Sequence, residues 1–154
     1  MDISGKTIVT TRGTTSAQFL ENDAKWKARA ITLLYGRDHI ESFLMAKSGH
    51  TAAFVMDEVL LLSLIAHSKD PKAYEIFGSS LRTEPYAIMM RKGDTMLKTL
   101  VNETLVRLIR SGEAEKIYAR WFLNPIPPYD INLNLPMSLA LKEAFTRPTD
   151  KGVE

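Results

Sequence analysis

Apolar and polar positions alternate along this chain in a repeating order: a short β-branched or apolar run, a turn signal, then a polar-faced helical stretch. Thr7-Ile8-Val9-Thr10-Thr11 is β-branched throughout and opens onto Arg12-Gly13, which predicts a buried strand entering a tight turn. Thr15 with Gln18 three residues on fits a capping box, so a helix is expected through Phe19 and Leu20. The same order recurs twice. Ala30 to Tyr35 is an apolar run ending at Gly36, and Asp38 with Glu41 repeats the capping pattern ahead of Phe43 and Leu44. After Ser48-Gly49, the run Thr51 to Met56 predicts a third strand, and Asp57 starts a strongly apolar helix through Leu60, Leu61, Leu64 and Ile65. Tyr74–Phe77 and Tyr86–Met90 read as fourth and fifth strands. Strands alternating with helices indicate an α/β domain with a mainly parallel sheet.

From Thr95 the period becomes helical. Leu97, Leu100, Val101, Leu105, Leu108 and Ile109 share one face up to Ser111-Gly112, and a second helix carries Ala114, Ile117, Tyr118, Trp121 and Phe122. The prolines of Asn124-Pro125-Ile126-Pro127-Pro128 exclude helix or central strand and suggest a linker, with a last amphipathic helix between Pro136 and Phe145. The leucines of 59–65 and the aromatics Tyr118, Trp121 and Phe122 are expected to be core.

Composition narrows the function classes. The 154 residues are 45% hydrophobic and 25% charged, an ordinary globular balance with apolar material for one core. Lys and Arg number 20 against 18 acidic residues, so a net charge of +2 gives no electrostatic case for nucleic acid. With no cysteine, there is no disulfide framework, thiol nucleophile or Cys-ligated metal. Three histidines without HExxH or paired spacing argue against a metal site, and no cofactor motif is present. The opening Met1 to Lys6 has no basic start or apolar stretch, so no secretory signal is expected in the chain as written.

In an open parallel sheet, ligands bind beyond the carboxyl ends of the strands. Gly13-Thr14-Thr15-Ser16, Gly36-Arg37-Asp38-His39 and Asp57 all fall there. Gly13 permits a turn that exposes backbone N–H groups, and the helix start adds hydroxyls, a combination suited to a carboxylate or phosphate; Thr15 as a plain helix cap is the alternative. The Asp57 carboxylate suits an ammonium group or caps its own helix, and His39 is either a ligand contact or an ordinary surface histidine. His50 and His67 lack any partner pattern and read as surface residues. Ser16, His39 and Asp57 are triad residue types, but no Gly-x-Ser-x-Gly elbow accompanies them.

Taken in order, Ser4 to Thr10, Gly13 to Ser16, Ala52-Phe54-Met56-Asp57, Arg91 to Asp94 and Ser111 to Phe122 resemble the polar amino-acid-binding proteins of bacterial ABC importers. Asp38-His39 with Glu41-Ser42-Phe43, and the tail Asn124 to Pro128, resemble the glutamate/aspartate-binding members most closely. The resemblance implies a periplasmic-binding-protein-like (type II) α/β lobe followed by C-terminal helices. It maps residues 1–83 onto the second lobe, 84–122 onto the hinge return and closing portion of the first lobe, and 123–154 onto a Pro-rich linker and helix. It further implies that Thr14 and Thr15 contact an amino acid, Asp57 its α-ammonium and His39 its side-chain carboxylate, with Arg12, Gly13 and Ser16 as weaker candidates. The implied partners are glutamate or aspartate and importer membrane subunits, and the implied location is periplasmic. Because the opening segment of the first lobe has no counterpart, the resemblance implies a truncated chain that binds weakly alone; the apolar face of 95–122 then either folds back onto the chain's own second lobe or packs against another copy, and self-association is the favoured outcome. An enzyme on the same fold, such as a dehydratase, and a non-binding interaction fragment are the rival readings.

Overall fold

The computed structural model describes residues 2–78 and 80–151, which form two compact units, Met1–Gly78 and Ser79–Glu154. In the first unit the strand of highest β-branched content is the central one. β1 (Thr7–Thr11) lies between β2 (Thr32–Gly36) and β3 (Ala53–Phe54), and both pairings are parallel. A central strand is covered on both faces, which suits a run without alternation: Ile8, Val9 and Thr10 are fully buried. The buried Thr10 hydroxyl donates to the Val55 carbonyl at 3.0 Å, so its one polar group is satisfied. Ile3, Ala17 and Leu20 complete the buried apolar set.

α1 (Thr15–Asn22) follows β1, and α2 (Ala24–Lys27) leads to β2. α3 (His39–Lys47) starts at Asp38, whose carboxylate accepts from the Glu41 backbone N–H at 2.8 Å, the cap expected from the sequence. α4 (Glu58–Ala66) follows β3. The cap of α1 is shifted by one residue. Thr14, not Thr15, is the N-cap, with its hydroxyl accepting from Ala17 N–H at 3.2 Å and donating to the Thr11 carbonyl at 2.8 Å. Gly13, at φ +74°, turns the chain right after the strand, so the last extended residue before the helix is Thr14.

Three expectations fail for one reason. β3 is only Ala53–Phe54 rather than Thr51 to Met56, although Ala52 N–H to Thr7 carbonyl at 2.8 Å and Val55 N–H to Val9 carbonyl at 2.9 Å continue its ladder at each end. Tyr74–Phe77 follows a short 3₁₀ turn (Pro71–Ala73) and is irregular, as is Tyr86–Met90, where Met89 is 97% exposed. A β-rich run becomes a strand only where a neighbour completes its hydrogen bonds and packs its faces. The apolar residues of α4 are likewise half-buried rather than core, and among the described residues the sheet has three strands and does not extend further to cover them.

The second unit holds α5 (Thr95–Arg110), α6 (Glu113–Phe122) and α7 (Leu139–Thr146), and none of its described residues is buried. α5 and α6 pack together, turning at Gly112, which adopts φ +74°. Tyr118 stacks on Phe122 with ring centroids 4.4 Å apart, while Trp121 is half exposed, so the expected aromatic core is only partly covered. The proline segment folds back: Ile126 N–H donates to the Ile131 carbonyl at 2.9 Å, and Leu135 N–H to the Phe122 carbonyl at 3.0 Å. Among the described residues, no helix is long and apolar enough to cross a membrane.

Candidate functional site

The β1–β2 register pairs Thr11 with Gly36, and the β1–β3 register pairs Val9 with Phe54. β1 and β2 therefore end level, while β3 ends two residues earlier, opposite Val9, and the loops 12–14, 37–38 and 55–57 emerge from one sheet edge. Neighbouring strands are about 4.8 Å apart, so the β2 and β3 exits flank β1 across roughly 10 Å. His39 belongs to the β2 side and Asp57 to the β3 side, with Gly13 and Thr14 between them.

His39 is the first residue of α3 and is held from beneath. Its Nδ1 lies 2.9 Å from the Thr11 hydroxyl, and that hydroxyl lies 2.9 Å from the Ser42 hydroxyl. Ser42 Oγ in turn is 2.9 Å from the Asp38 carbonyl, and it is fully buried. Nε2 of His39 has no partner among the described residues. Thr11 and Ser42 were not marked by the sequence as site residues. No spacing signal marks them, because 31 residues separate the two hydroxyls and only the packing of α3 on β1 brings them together.

Asp57 stands at the N-cap position of α4 with φ −56° and ψ 136°, but its side chain makes no cap hydrogen bond. The capping alternative thus gives way, and the half-buried carboxylate has no partner among the described residues. Thr15 and Arg12 are exposed, and Ser16 is half-buried on the first turn of α1. Arg12 lies with its guanidinium 5.7 Å from the Tyr35 ring centre, a cation–π arrangement that directs it along β2. The Tyr35 hydroxyl donates to Glu21 at 2.6 Å, and desolvation, reinforced by this bond to an acidic partner, pushes its pKa up to about 12. Arg37 donates through Nε to Glu41 at 3.0 Å, an exposed pair that holds the Glu41 carboxyl below its usual range. His50 and His67 lie on the surface away from this edge, bonded to Ser48 and to the Ser63 carbonyl. No group of three His, Asp or Glu side chains is placed to hold a metal among the described residues.

This edge therefore offers one unpaired carboxylate, one open imidazole nitrogen and a hydroxyl-bearing helix start: complementary groups for a small molecule carrying both an ammonium and carboxylates. Residues 3–124 match the bacterial extracellular solute-binding proteins, family 3, and the chain belongs to that family. It is 42% identical over 153 residues to the L-glutamate/L-aspartate-binding protein of Pseudomonas aeruginosa, covering 99% of this chain and 51% of that protein. It is 37% identical over 152 residues to the glutamate/aspartate import solute-binding protein of Escherichia coli, covering 99% of this chain and 50% of the relative. The chain spans about half the length of these curated relatives. Among solved structures, an ancestral arginine-binding protein bound to arginine superposes with a TM-score of 0.65 at 29% identity, over 78% of this chain and 52% of that one. The α/β fold with a parallel sheet is that of a type II periplasmic-binding lobe.

Proposed function

We propose that this chain carries half of a binding site for glutamate or aspartate, and serves capture and delivery to an ABC importer from the periplasm, with no chemical step. The observation that carries the reading is the pairing of Asp57 and His39 on opposite flanks of the Thr14 helix start, each with an unsatisfied polar atom facing no protein partner among the described residues. The Asp57 carboxylate binds the α-ammonium, Thr14 and Thr15 contact the ligand at the positive end of α1, and His39 Nε2 meets the side-chain carboxylate. Gly13 shapes the turn, while Arg12 and Ser16 are peripheral. The relatives' names, glutamate/aspartate-binding, support the ligand class. In this reading residues 1–83 are the ligand-contacting second lobe, 84–122 are the hinge return and closing portion of the first, and 123–154 are a Pro-rich linker and C-terminal helix.

A cleft that draws contacts from two lobes binds weakly when one contributes alone. Titrating glutamate into the 154-residue chain while following backbone amide NMR signals should move Thr14, His39 and Asp57 with millimolar affinity, and in a full-length, two-lobed version, where the ammonium is held in a closed cleft, Asp57→Ala should weaken binding by about 3 kcal/mol, as expected for a buried charge deprived of its partner. Glutamate that perturbs none of these signals, or that binds Asp57→Ala as it binds the parent, would refute the assignment. The apolar face of 95–122 is proposed to mediate self-association of the isolated chain.

A further inference from the structure

Thr11 Oγ1 has two polar neighbours, His39 Nδ1 and Ser42 Oγ, each at 2.9 Å. With a single proton, it donates to one and accepts from the other. Ser42 Oγ has a further neighbour that can only accept, the Asp38 carbonyl at 2.9 Å; the Thr10 carbonyl lies more distant at 3.4 Å. Two senses of the chain are conceivable. If Ser42 donates to Asp38, Thr11 must donate to Ser42, and the proton shared with Thr11 must come from His39 Nδ1–H. All three donors are then used. In the reverse sense Ser42 donates to Thr11 and Thr11 to a bare Nδ1, and the contact with the carbonyl is lost. Ser42 is fully buried and Thr11 only 4% exposed, so water does not replace a missing bond at this depth.

We propose that Thr11 and Ser42 are positioning residues that fix neutral His39 as its Nδ1–H tautomer and leave Nε2 as a lone pair open to ligand. The Asp38 carbonyl is the terminal acceptor that gives the chain its direction, and it has a second lone pair for the Ser42 backbone N–H at 3.1 Å. A consequence follows for the proposed binding role, on which it rests. A lone pair repels a carboxylate, so an acidic side chain is held at Nε2 only after that nitrogen gains a proton, whereas Nδ1–H stays on Thr11 throughout.

The test reads the tautomer directly, without ligand, so its outcome is independent of whether glutamate binds. In the 154-residue chain labelled with ¹⁵N-histidine, long-range ¹H–¹⁵N spectra at alkaline pH should show His39 with Nδ1 protonated over Nε2 by at least about fivefold, the worth of one net hydrogen bond. Ser42→Ala removes the outer acceptor, so Thr11 turns to donate to Nδ1 and the ratio reverses in favour of Nε2–H. Thr11→Val removes both links and lowers the ratio by about fivefold, and Thr11→Ser restores it. A merely structural role for the two hydroxyls predicts lower stability in these variants with His39 unchanged. An Nε2–H majority in the parent chain, or a ratio unmoved by Ser42→Ala in a folded variant, would overturn the proposal.

Discussion

At the residue scale, the tightest constraint is at Gly36, the last residue of β2. A Cβ built there would lie 2.2 Å from Ser42 Oγ and 2.7 Å from the Ser42 backbone nitrogen, so α3 rests directly on this glycine. Because the obstacle includes backbone, side-chain rotation cannot relieve it. Gly36→Ala should therefore cost about 1–3 kcal/mol in urea denaturation, the range for overpacking, and should disturb His39 through Ser42. Asp57 illustrates the complementary case. As a sequence symbol it fits a helix cap as well as an ammonium site; it stands at the N-cap position of α4 with no cap hydrogen bond from its side chain, and its ammonium role is a proposal. The pair Thr11–Ser42 was invisible to spacing arguments, since 31 residues separate hydroxyls that only the β1–α3 packing brings to 2.9 Å.

At the scale of elements, helix starts were legible and strand partners were not. A cap is a local bond between residues three apart, so Asp38 before α3 is expected from its position; Asp94 before α5, which the sequence reading does not mark, caps in the same way, accepting from Leu97 N–H at 3.0 Å. The shift from Thr15 to Thr14 arose from the turn at Gly13. Thr14→Ala should destabilise the first unit by about 1 kcal/mol in chemical denaturation, the usual cost of a lost cap, whereas Thr15→Ala should cost less. The β2–α1 link through Tyr35 and Glu21 gives a pH signature. The folded-state pKa of Tyr35 is raised to about 12 from 10.0, so the folded form holds the phenol proton more tightly than the unfolded chain. Its contribution to stability is full below pH 10 and is lost as pH rises to about 12. Tyr35→Phe should flatten the difference in stability measured across that window; parallel pH profiles for the two chains would contradict it.

At the scale of the whole molecule, what the chain buries matters less than what it leaves uncovered. Leu100 is 61% exposed, Met96 85% and Trp121 50%, and an open apolar hollow of about 510 Å³ lies among Ile117, Tyr118, Trp121, Phe122 and Phe145. Exposed apolar surface of this extent favours association. Light scattering should accordingly give a mass that rises above 17.3 kDa with concentration, and Leu100→Glu should hold it at one chain. A constant single-chain mass for the parent would remove the self-association proposal. The sequence by itself determined the order of strand and helix through Ala66, the parallel character of the sheet and the two-helix period of 95–122, because β-branched runs, turn residues and helical spacing act over a few neighbours. Tertiary structure alone decided that Tyr74–Phe77 and Tyr86–Met90 are not strands, that the leucines of α4 are half-buried, and that Thr11 and Ser42 stand beneath His39. Each of those outcomes depends on whether a distant segment arrives to complete a ladder, cover a face or accept a proton, and no local pattern encodes that arrival.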